Sequence, residues 1–519
     1  RTYTEFRNDV DTFARALIAM GVKKGDHVAI WATNVPQWYI TFWATTKIGA
    51  VLVTVNTAYK IHEAEYLLKQ SDTHTLVMID GHKDSDYIRT IKELCPELEK
   101  DKPGDLNSKK LPFLRNIITT DAKVNGCYTW DEAMKLAETV PASEVENRRS
   151  KIEKNDVCNM QYTSGTTGFP KGVMLTHYNV VNNGKSIGDC MDLSTADKMM
   201  IHVPMFHCFG MVLAMTACMT HGSTMCPITA FSPRKSLECI NKEQITACHG
   251  VPTMFIAMLG HPEFENTDFS HMRTGIMAGS PCPVKVMQDV IEKMNMTDIC
   301  ITYGQTEASP GCTMSKTDDS IELRVNTVGR SMFGVECKIV DPETNEDLPD
   351  NTDGELVARG YNIMKGYYKM PEATAAAIDE NGWLHTGDLA RRTPDGYYKI
   401  TGRIKDMIIR GGENVYPKEI EEFIYNHPKV KDVQVIGVPD KQYGEEIMAC
   451  VILKEGEESS EEEIKNFVLE HMAKHKVPRY VDFITEFPMN AAGKILKYKM
   501  RENAVEKLNL QDASKIVTA

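Results

Sequence analysis

No two of the 14 cysteines stand in a C-x-x-C pair, and none joins histidines at zinc-ligand spacing. That excludes the common structural zinc frameworks and the thioredoxin-like redox motif. The cysteines occur singly in apolar surroundings such as Ile299-Cys300-Ile301 and Met448-Ala449-Cys450-Val451, the pattern of buried free thiols kept reduced in a cytoplasm. An excess of positive charge is also lacking. The formal net charge of −13 argues against a nucleic-acid surface, and an anionic membrane would repel it too. No clean membrane span is present: residues 199–233 carry no formal charge, but Pro204, His207, Gly210, His221 and Gly222 interrupt them, so the stretch reads as a buried segment. No signal peptide is legible, and Arg1 stands already inside a helical pattern, an expectation that residues precede it. Internal repeats and low-complexity segments are absent as well.

What is there is an ordinary globular composition, 42% hydrophobic and 25% charged, in a chain of 519 residues, long enough for more than one domain. Helical spacing over 4–20, ended by Gly21, is followed by a strand at 27–32, a helix at 36–48, a strand at 51–56, a helix at 61–70 and a strand at 75–79. Such alternation predicts layered α/β sheets. Residues 97–110, rich in Lys, Asp, Pro and Gly, read as a solvated loop. A second α/β round reaches about 315. From 328 to 402 turn signals such as Asp353-Gly354 and Asn381-Gly382 separate short strands, which predicts a β-rich, barrel-like part. A small α+β set follows: strands at 406–410, 433–438, 447–453 and 480–484, a helix at 417–426, and a further helix opening on the capping box Ser460-Glu461-Glu462-Glu463.

One stretch organises the rest. Tyr162-Thr163-Ser164-Gly165-Thr166-Thr167-Gly168-Phe169-Pro170-Lys171-Gly172 gathers serine and threonine hydroxyls, glycines and one lysine, far more donor density than a solvated turn needs. Glycines let backbone N–H groups approach a ligand, hydroxyls add rotatable donors, and Lys171 adds a charge. That is a cradle for an anion, most naturally a polyphosphate. Strand patterns on both sides, 157–163 and 172–176, separate it from the strand-to-helix loop of P-loop NTPases, and the G-x-x-x-x-G-K-S/T order is missing. By composition alone a flexible Ser/Gly hairpin without ligand is the competing account.

The order T-S-G-T-T-G-x-P-K-G resembles the adenylate-forming superfamily of acyl-CoA synthetases, aryl-CoA ligases, luciferases and peptide-synthetase adenylation domains. The resemblance implies that Thr163, Ser164, Gly165, Thr166, Thr167, Gly168 and Lys171 bind the phosphates of ATP. Tyr303-Gly304-Gln305-Thr306-Glu307 resembles the family's Y-G-x-T-E element, which implies Tyr303 on adenine, Thr306 at the α-phosphate and Glu307 on Mg2+, with Gly304 and Gln305 beside the nucleotide. Gly279-Ser280-Pro281 resembles the small-residue segment on the other face of adenine. Asp388 of Thr386-Gly387-Asp388 would accept from the ribose diol, with Ile400 and Arg403 near it. Lys494, in Asn490-Ala491-Ala492-Gly493-Lys494, resembles the family's catalytic lysine, which bridges the acyl oxygen and α-phosphate in the adenylation transition state. The stretch GRIKDMIIRGGENVYPKEIE resembles the hinge region, with Lys405 at the hinge and Gly411, Gly412 and Glu413 against the pantetheine channel of coenzyme A. On this basis the chain divides into a large domain at 1–402, a hinge at 403–405 and a small mobile domain at 406–519.

The acyl end is thinner. Pro204-Met205-Phe206-His207 resembles the aromatic element at the carboxylate mouth, with His207 as a gate, and Gly329 joins the pocket by the same resemblance. Gly304 stands where acetate-specific relatives carry tryptophan, which implies an open floor. Met205, Met211, Val328 and Met332 serve equally as pocket lining or as core. The expectation is an ATP-dependent fatty acid–CoA ligase, medium chain favoured, that releases AMP and pyrophosphate and has no nucleic-acid partner. The alternatives are an aryl-CoA ligase, an adenylating enzyme that loads a carrier protein, and a non-catalytic nucleotide-binding regulator.

Overall fold

The computed structural model describes residues 1–163, 170–279, 282–410, 413–440, 443–470, 472, 474–490 and 495–511. Its first sheet has eight strands in the order Gly366–Tyr367, Lys171–Thr176, Val157–Thr163, Val51–Thr54, His27–Trp31, Thr73–Met78, Asn116–Thr119 and Tyr128–Thr129. From Val157–Thr163 to Tyr128–Thr129 the strands pair in parallel, Lys171–Thr176 pairs antiparallel with both of its neighbours, and His27–Trp31 and Val51–Thr54 are buried at every position. Near-continuous apolar strands are what a sheet covered on both faces requires. Helix Pro36–Ile48 is apolar nearly all round and buries Trp38 and Phe42, while helix Tyr3–Ala19, capped by Thr2 and Glu5, offers only one face, stacking Phe13 on Trp130 at 4.4 Å.

A second sheet of seven strands runs Thr224–Pro227, Lys198–Ile201, Ala247–Gly250, Thr274–Met277, Asp298–Gly304, Gly311–Met314 and Arg330–Ser331. Its first five strands are parallel, and the Gly311–Met314 and Arg330–Ser331 strands close it antiparallel. The uncharged stretch supplies strand Lys198–Ile201, a π-helix at Phe209–Thr216 and helix Ala217–His221; no helix among the described residues is long and apolar enough to cross a membrane.

The turn-rich part corrects the barrel-like expectation. Strands Val335–Val340, Gly354–Gly360, Leu384–Arg392 and Tyr398–Arg403 form an open four-stranded antiparallel sheet, because its two edge strands pair only inward. A fourth sheet, of five strands, Glu413–Val415, Ile408–Arg410, Gly444–Leu453 and Val430–Asp440, with Tyr480–Phe483 added to Gly444–Leu453, builds the smaller C-terminal domain around Ile408, Ile420, Ile424, Val435 and Ile447. The architecture is therefore a large N-terminal domain of layered α/β sheets with a smaller α+β domain after it.

Two local expectations are adjusted. Residues 97–110 are not simply solvated: Leu98 and Leu106 are buried, and a 3-10 turn forms at Pro96–Glu99. At the helix Glu461–Leu469, Ser460 caps Glu463 N–H at 3.2 Å, but the Glu463 carboxylate turns to Lys429 and Ser459. All 14 cysteines are free thiols, and burial raises those that titrate away from their ordinary range, Cys158 and Cys248 to about 12.

Candidate active site

The hydroxyl-rich stretch joins two antiparallel strands, Val157–Thr163 and Lys171–Thr176, with Thr163 directly opposite Lys171. Ser164, Gly165, Thr166, Thr167 and Gly168 lie outside the described residues. The ends of the stretch are tied down on both sides. Tyr66 Oη donates to the Pro170 carbonyl at 3.1 Å, and Tyr162 hydrogen-bonds Gln70, whose amide nitrogen donates to Tyr368 O at 3.0 Å. A Cβ on Gly172 would lie 2.9 Å from Met160 Sδ and 3.1 Å from the Tyr162 ring, so this turn-out of the strand needs glycine.

Lys171 reaches the next motif through a residue that sequence reasoning missed. Its Nζ lies 4.8 Å above the centre of the Tyr367 ring, and the Tyr367 hydroxyl donates to Glu307 Oε1 at 2.8 Å. Burial, and then the Glu307 charge, pushes the Tyr367 phenol up, so it remains a donor. The backbone repeats the link: Met364 N–H donates to Glu307 O at 2.9 Å, and strand Gly366–Tyr367 pairs with Lys171–Thr176. Lys171 and the Glu307 carboxylate thus share one aromatic residue, Tyr367.

Gly304 to Glu307 emerge from the buried strand Asp298–Gly304 into partly open positions, while Tyr303 before them and Ala308 after them are buried. Thr306 and Glu307 sit in a 3-10 turn, with Ala308 N–H on Gln305 O at 2.8 Å. Gly304 has a different reason from the one expected. A Cβ there would fall 1.7 Å from the Pro310 carbonyl oxygen and 3.1 Å from Cys312 N, so the hairpin to Gly311–Met314 already fills that space. The lack of a side chain is demanded by the protein's own backbone, and Gly304 itself is exposed.

Tyr303, Asp388 and Arg403 are drawn together from three strands. The Tyr303 hydroxyl donates to Asp388 Oδ2 at 2.8 Å, and Arg403 Nε donates to Asp388 Oδ1 at 2.9 Å. The buried phenol is pushed well above its ordinary value by desolvation and then by Asp388. Asp388 follows a register shift within strand Leu384–Arg392, where Gly387 takes φ +70°, a conformation that favours glycine. Thr386 Oγ1 donates to Leu356 O at 2.6 Å, and Glu355 accepts from Gly387 N–H at 2.9 Å and pairs with His385 at 2.8 Å. Glu355, also missed, is a lone carboxylate in the otherwise apolar run Gly354-Glu355-Leu356-Val357-Ala358. That misfit was the available signal. Ile400 packs with Tyr303 in one apolar cluster, and its carbonyl accepts from Lys418 Nζ at 3.2 Å.

Arg403 ends its sheet and Ile408 begins the next, with Ile404 N–H on Gly387 O at 3.1 Å and Lys405 exposed between them. The small domain meets the large one along helix Pro417–Ile424: Glu422 Oε2 accepts from Val284 N–H at 3.4 Å. Burial lowers the Lys418 ammonium and raises the Glu422 carboxyl from their ordinary values. Gly411 and Gly412 lie outside the described residues; Glu413 pairs through its backbone with Arg410, whose guanidinium grips Glu446 at 2.8 and 3.0 Å. Lys494 likewise lies outside them, whereas nearby Lys497 is held inside the small domain by Glu421 at 2.6 Å.

His207, expected at the carboxylate mouth, lies just before the π-helix Phe209–Thr216. Its N–H bonds Pro204 O at 3.3 Å, its ring tilts against Phe206 at 4.5 Å, and its carbonyl starts the π-helix Phe209–Thr216 by accepting from Gly210 and Met211. Gly279, φ +84°, lies near Phe209 and Val251; Ser280 and Pro281 are outside the described residues. Gly329, φ +78°, packs directly on the Met314–Ser315 backbone and pairs with Tyr398, so its glycine is accounted for by that approach. Met205 and Met211 are fully buried.

The segment Tyr303 to Glu307 is thus bonded through Tyr303 to the carboxylate of Asp388 and through Glu307 to Tyr367, above whose ring stands Lys171. The chain matches the AMP-binding enzyme family over residues 1–368 and the AMP-binding enzyme C-terminal domain over 419–494, and it belongs to that family. It is 53% identical over 513 residues to the putative acyl-CoA synthetase YngI of Bacillus subtilis (strain 168), covering 99% of this chain and 93% of that one. It is 40% identical over 515 residues to the medium-chain acyl-CoA ligase ACSF2, mitochondrial, of Bos taurus, covering 98% and 84%. Among solved structures, ATP-bound MatB from Rhodopseudomonas palustris is similar with a TM-score of 0.83 at 29% identity, covering 96% of this chain and 93% of that one. The Mycobacterium tuberculosis fatty acyl CoA synthetase is similar at 0.71 and 29%, covering 98% and 93%.

Proposed function

We propose that this chain is an ATP-dependent acyl-CoA ligase for medium-chain fatty acids, working through an acyl-adenylate and releasing AMP and pyrophosphate. One observation carries the proposal: the five residues Tyr303 to Glu307 are bonded at one end to Asp388 and at the other to Tyr367 beneath Lys171. Asp388 is an acceptor for a ribose diol, and Lys171 with the hydroxyl-rich stretch is a donor set for phosphates, so the segment spans a nucleotide from sugar to phosphate.

A carboxylate is a poor electrophile and gains a leaving group when its oxygen attacks the α-phosphorus and pyrophosphate departs. Charge then builds on the α-phosphate oxygens, where Thr306 donates a hydrogen bond and Lys494 supplies a cation. No group of three or more His, Cys, Asp or Glu among the described residues could hold a metal ion by itself. Glu307 with one oxygen on Tyr367 still fits Mg2+, which takes one carboxylate and fills its shell from phosphate oxygens and water. When bound there, Mg2+ would neutralise charge on the leaving pyrophosphate. After adenylation, rotation about Lys405 withdraws Lys494 and brings Gly411, Gly412 and Glu413 against the pantetheine channel, through which the coenzyme A thiolate attacks the acyl carbon and AMP leaves.

The likeness to relatives named for medium-chain acids supports an aliphatic rather than a small polar acid. A pyrophosphate-release screen across carboxylic acids tests the reading. Octanoate should exceed both acetate and benzoate; acetate turnover equal to or above octanoate would remove the chain-length claim. Coenzyme A should accept the acyl group where a carrier protein does not.

A further inference from the structure

His249 is a wholly buried imidazole with every polar atom engaged, and none of its partners belongs to the nucleotide site. Its Nδ1 accepts from Ile276 N–H at 3.1 Å, so that nitrogen is unprotonated; its Nε2 therefore carries the proton and donates to the Leu213 carbonyl at 2.8 Å. His202 secures it from behind, donating from Nε2 to His249 O at 2.6 Å while its Nδ1 accepts from Ser236 Oγ at 3.0 Å. One ring thus ties strand Ala247–Gly250 to strand Thr274–Met277 and to the π-helix Phe209–Thr216.

The π-helix is what needs tying. A π-turn holds one residue more than an α-turn, and it persists where side chains hold it. Thr216 Oγ1 bonds back to Met211 O at 2.9 Å, Gln161 Nε2 contacts Met211 Sδ at 3.6 Å, and His249 takes Leu213 O. The face of the imidazole also carries the Phe209 ring, stacked at 5.7 Å and 15°. Phe209 in turn stands 3.9 Å from where a Cβ of Gly279 would be, at the end of the strand that leads to the nucleotide side. His207 sits two residues before Phe209, and the buried Met211, Leu213 and Met215 follow it.

We propose that His249 is the positioning residue for the acyl end, holding the π-helix in its present register and the Phe209 ring in place so that chain length is selected. The inference rests on the fatty-acid reading above. If the Leu213 bond is lost, the segment is free to wind into an α-helix, which turns every side chain after the released residue by about 100° and rebuilds the wall that meets the acyl chain. A change of one methylene in fit is worth about tenfold or more in kcat/KM, so the readout is selectivity, not overall rate.

The experiment compares kcat/KM for butanoate, octanoate and dodecanoate in the full-length wild type, His249→Leu, His249→Gln and His249→Asn, with KM for ATP as the control. Glutamine can place an N–H near the Nε2 position and asparagine cannot, so glutamine should keep the selectivity profile while leucine and asparagine shift the octanoate-to-dodecanoate ratio about tenfold. KM for ATP should stay within about twofold throughout. Phe209→Leu leaves all of the imidazole's hydrogen bonds and should shift the ratio in the same direction by less, which keeps the test decisive if the His249 variants do not fold. Equal loss on all three acids, unchanged ratios in folded His249→Leu or Phe209→Leu, or retention by asparagine as good as by glutamine would overturn the role. If the wild type turns over none of the three, the fatty-acid reading has failed by itself. The same ratios are then taken between a small and a large acid that do release pyrophosphate.

Discussion

The two ends of the candidate site are built from different materials. At the end proposed for the nucleotide, Asp388 is gripped by Tyr303 and Arg403, Glu307 by Tyr367, and the Gly387 N–H by Glu355, all through charged or directional bonds of 2.8–2.9 Å. At the end proposed for the acyl chain the packing is methionine, phenylalanine and a π-helix, held by the buried His249, by Thr216 and by Gln161. A ligand of one constant shape rewards preorganised donors and acceptors, because each is aimed once and for all. A flexible aliphatic chain offers no polar handle, so the site can discriminate only by shape, and shape held by soft side chains is adjustable.

That contrast can be broken at either end. The largest effect is expected from Lys494→Ala, which should cost adenylation on the order of a hundredfold or more while sparing thioester formation from supplied acyl-AMP. Pyrophosphate release and single-turnover thioesterification measure the halves separately, and equal loss in both would refute the assignment. Asp388→Asn leaves Arg403 without its counter-charge; since a hydrogen bond to a charged group is worth about 1.5–3 kcal/mol, kcat/KM for ATP should fall roughly tenfold to a hundredfold with chain-length ratios unchanged. A change in those ratios would show the two ends to be coupled.

Acid provides a third probe. Burial lowers His249 and His202 to about 4. Unfolded, each would titrate near its ordinary 6.5, so between pH 6.5 and 4 the unfolded chain binds more protons and stability rises with pH. The protein should lose stability as pH falls through that window, by up to about 3 kcal/mol for each ring. His249→Gln should flatten the dependence of the melting midpoint on pH there; an identical slope would contradict the neutral, buried assignment. The smallest effect is expected from Tyr367→Phe, which keeps the ring beneath Lys171 and removes one hydrogen bond to Glu307. A loss of about 1 kcal/mol, roughly fivefold, should appear in the Mg2+ dependence of the rate. No shift in that dependence would detach Tyr367 from the metal.

Sequence and structure agree best where local signals are strong. Pro36 opening a helix that Gly49 ends, the strand-bounded loop at 157–176, and the order of the small-domain elements were all legible, because capping, proline position and apolar period act within a few residues. The open sheet was expected as barrel-like because turn spacing predicts short strands but not whether the last pairs with the first. The backbone reason for Gly304 was not legible, since the atom that excludes a side chain, Pro310 O, is brought there by a hairpin invisible in the motif itself. Tyr367 and His249 were missed for a related reason: a tyrosine in Gly366-Tyr367-Tyr368 and a histidine in Ala247-Cys248-His249 look like core until the strand neighbours are known.

Pyrophosphate release with ATP, measured over straight-chain acids from two to sixteen carbons, bears most directly on the central claim. A maximum at medium chain length, with acyl-adenylate accumulating when coenzyme A is withheld, is the predicted result. Release with none of the acids, or with acetate as readily as with octanoate, would contradict it.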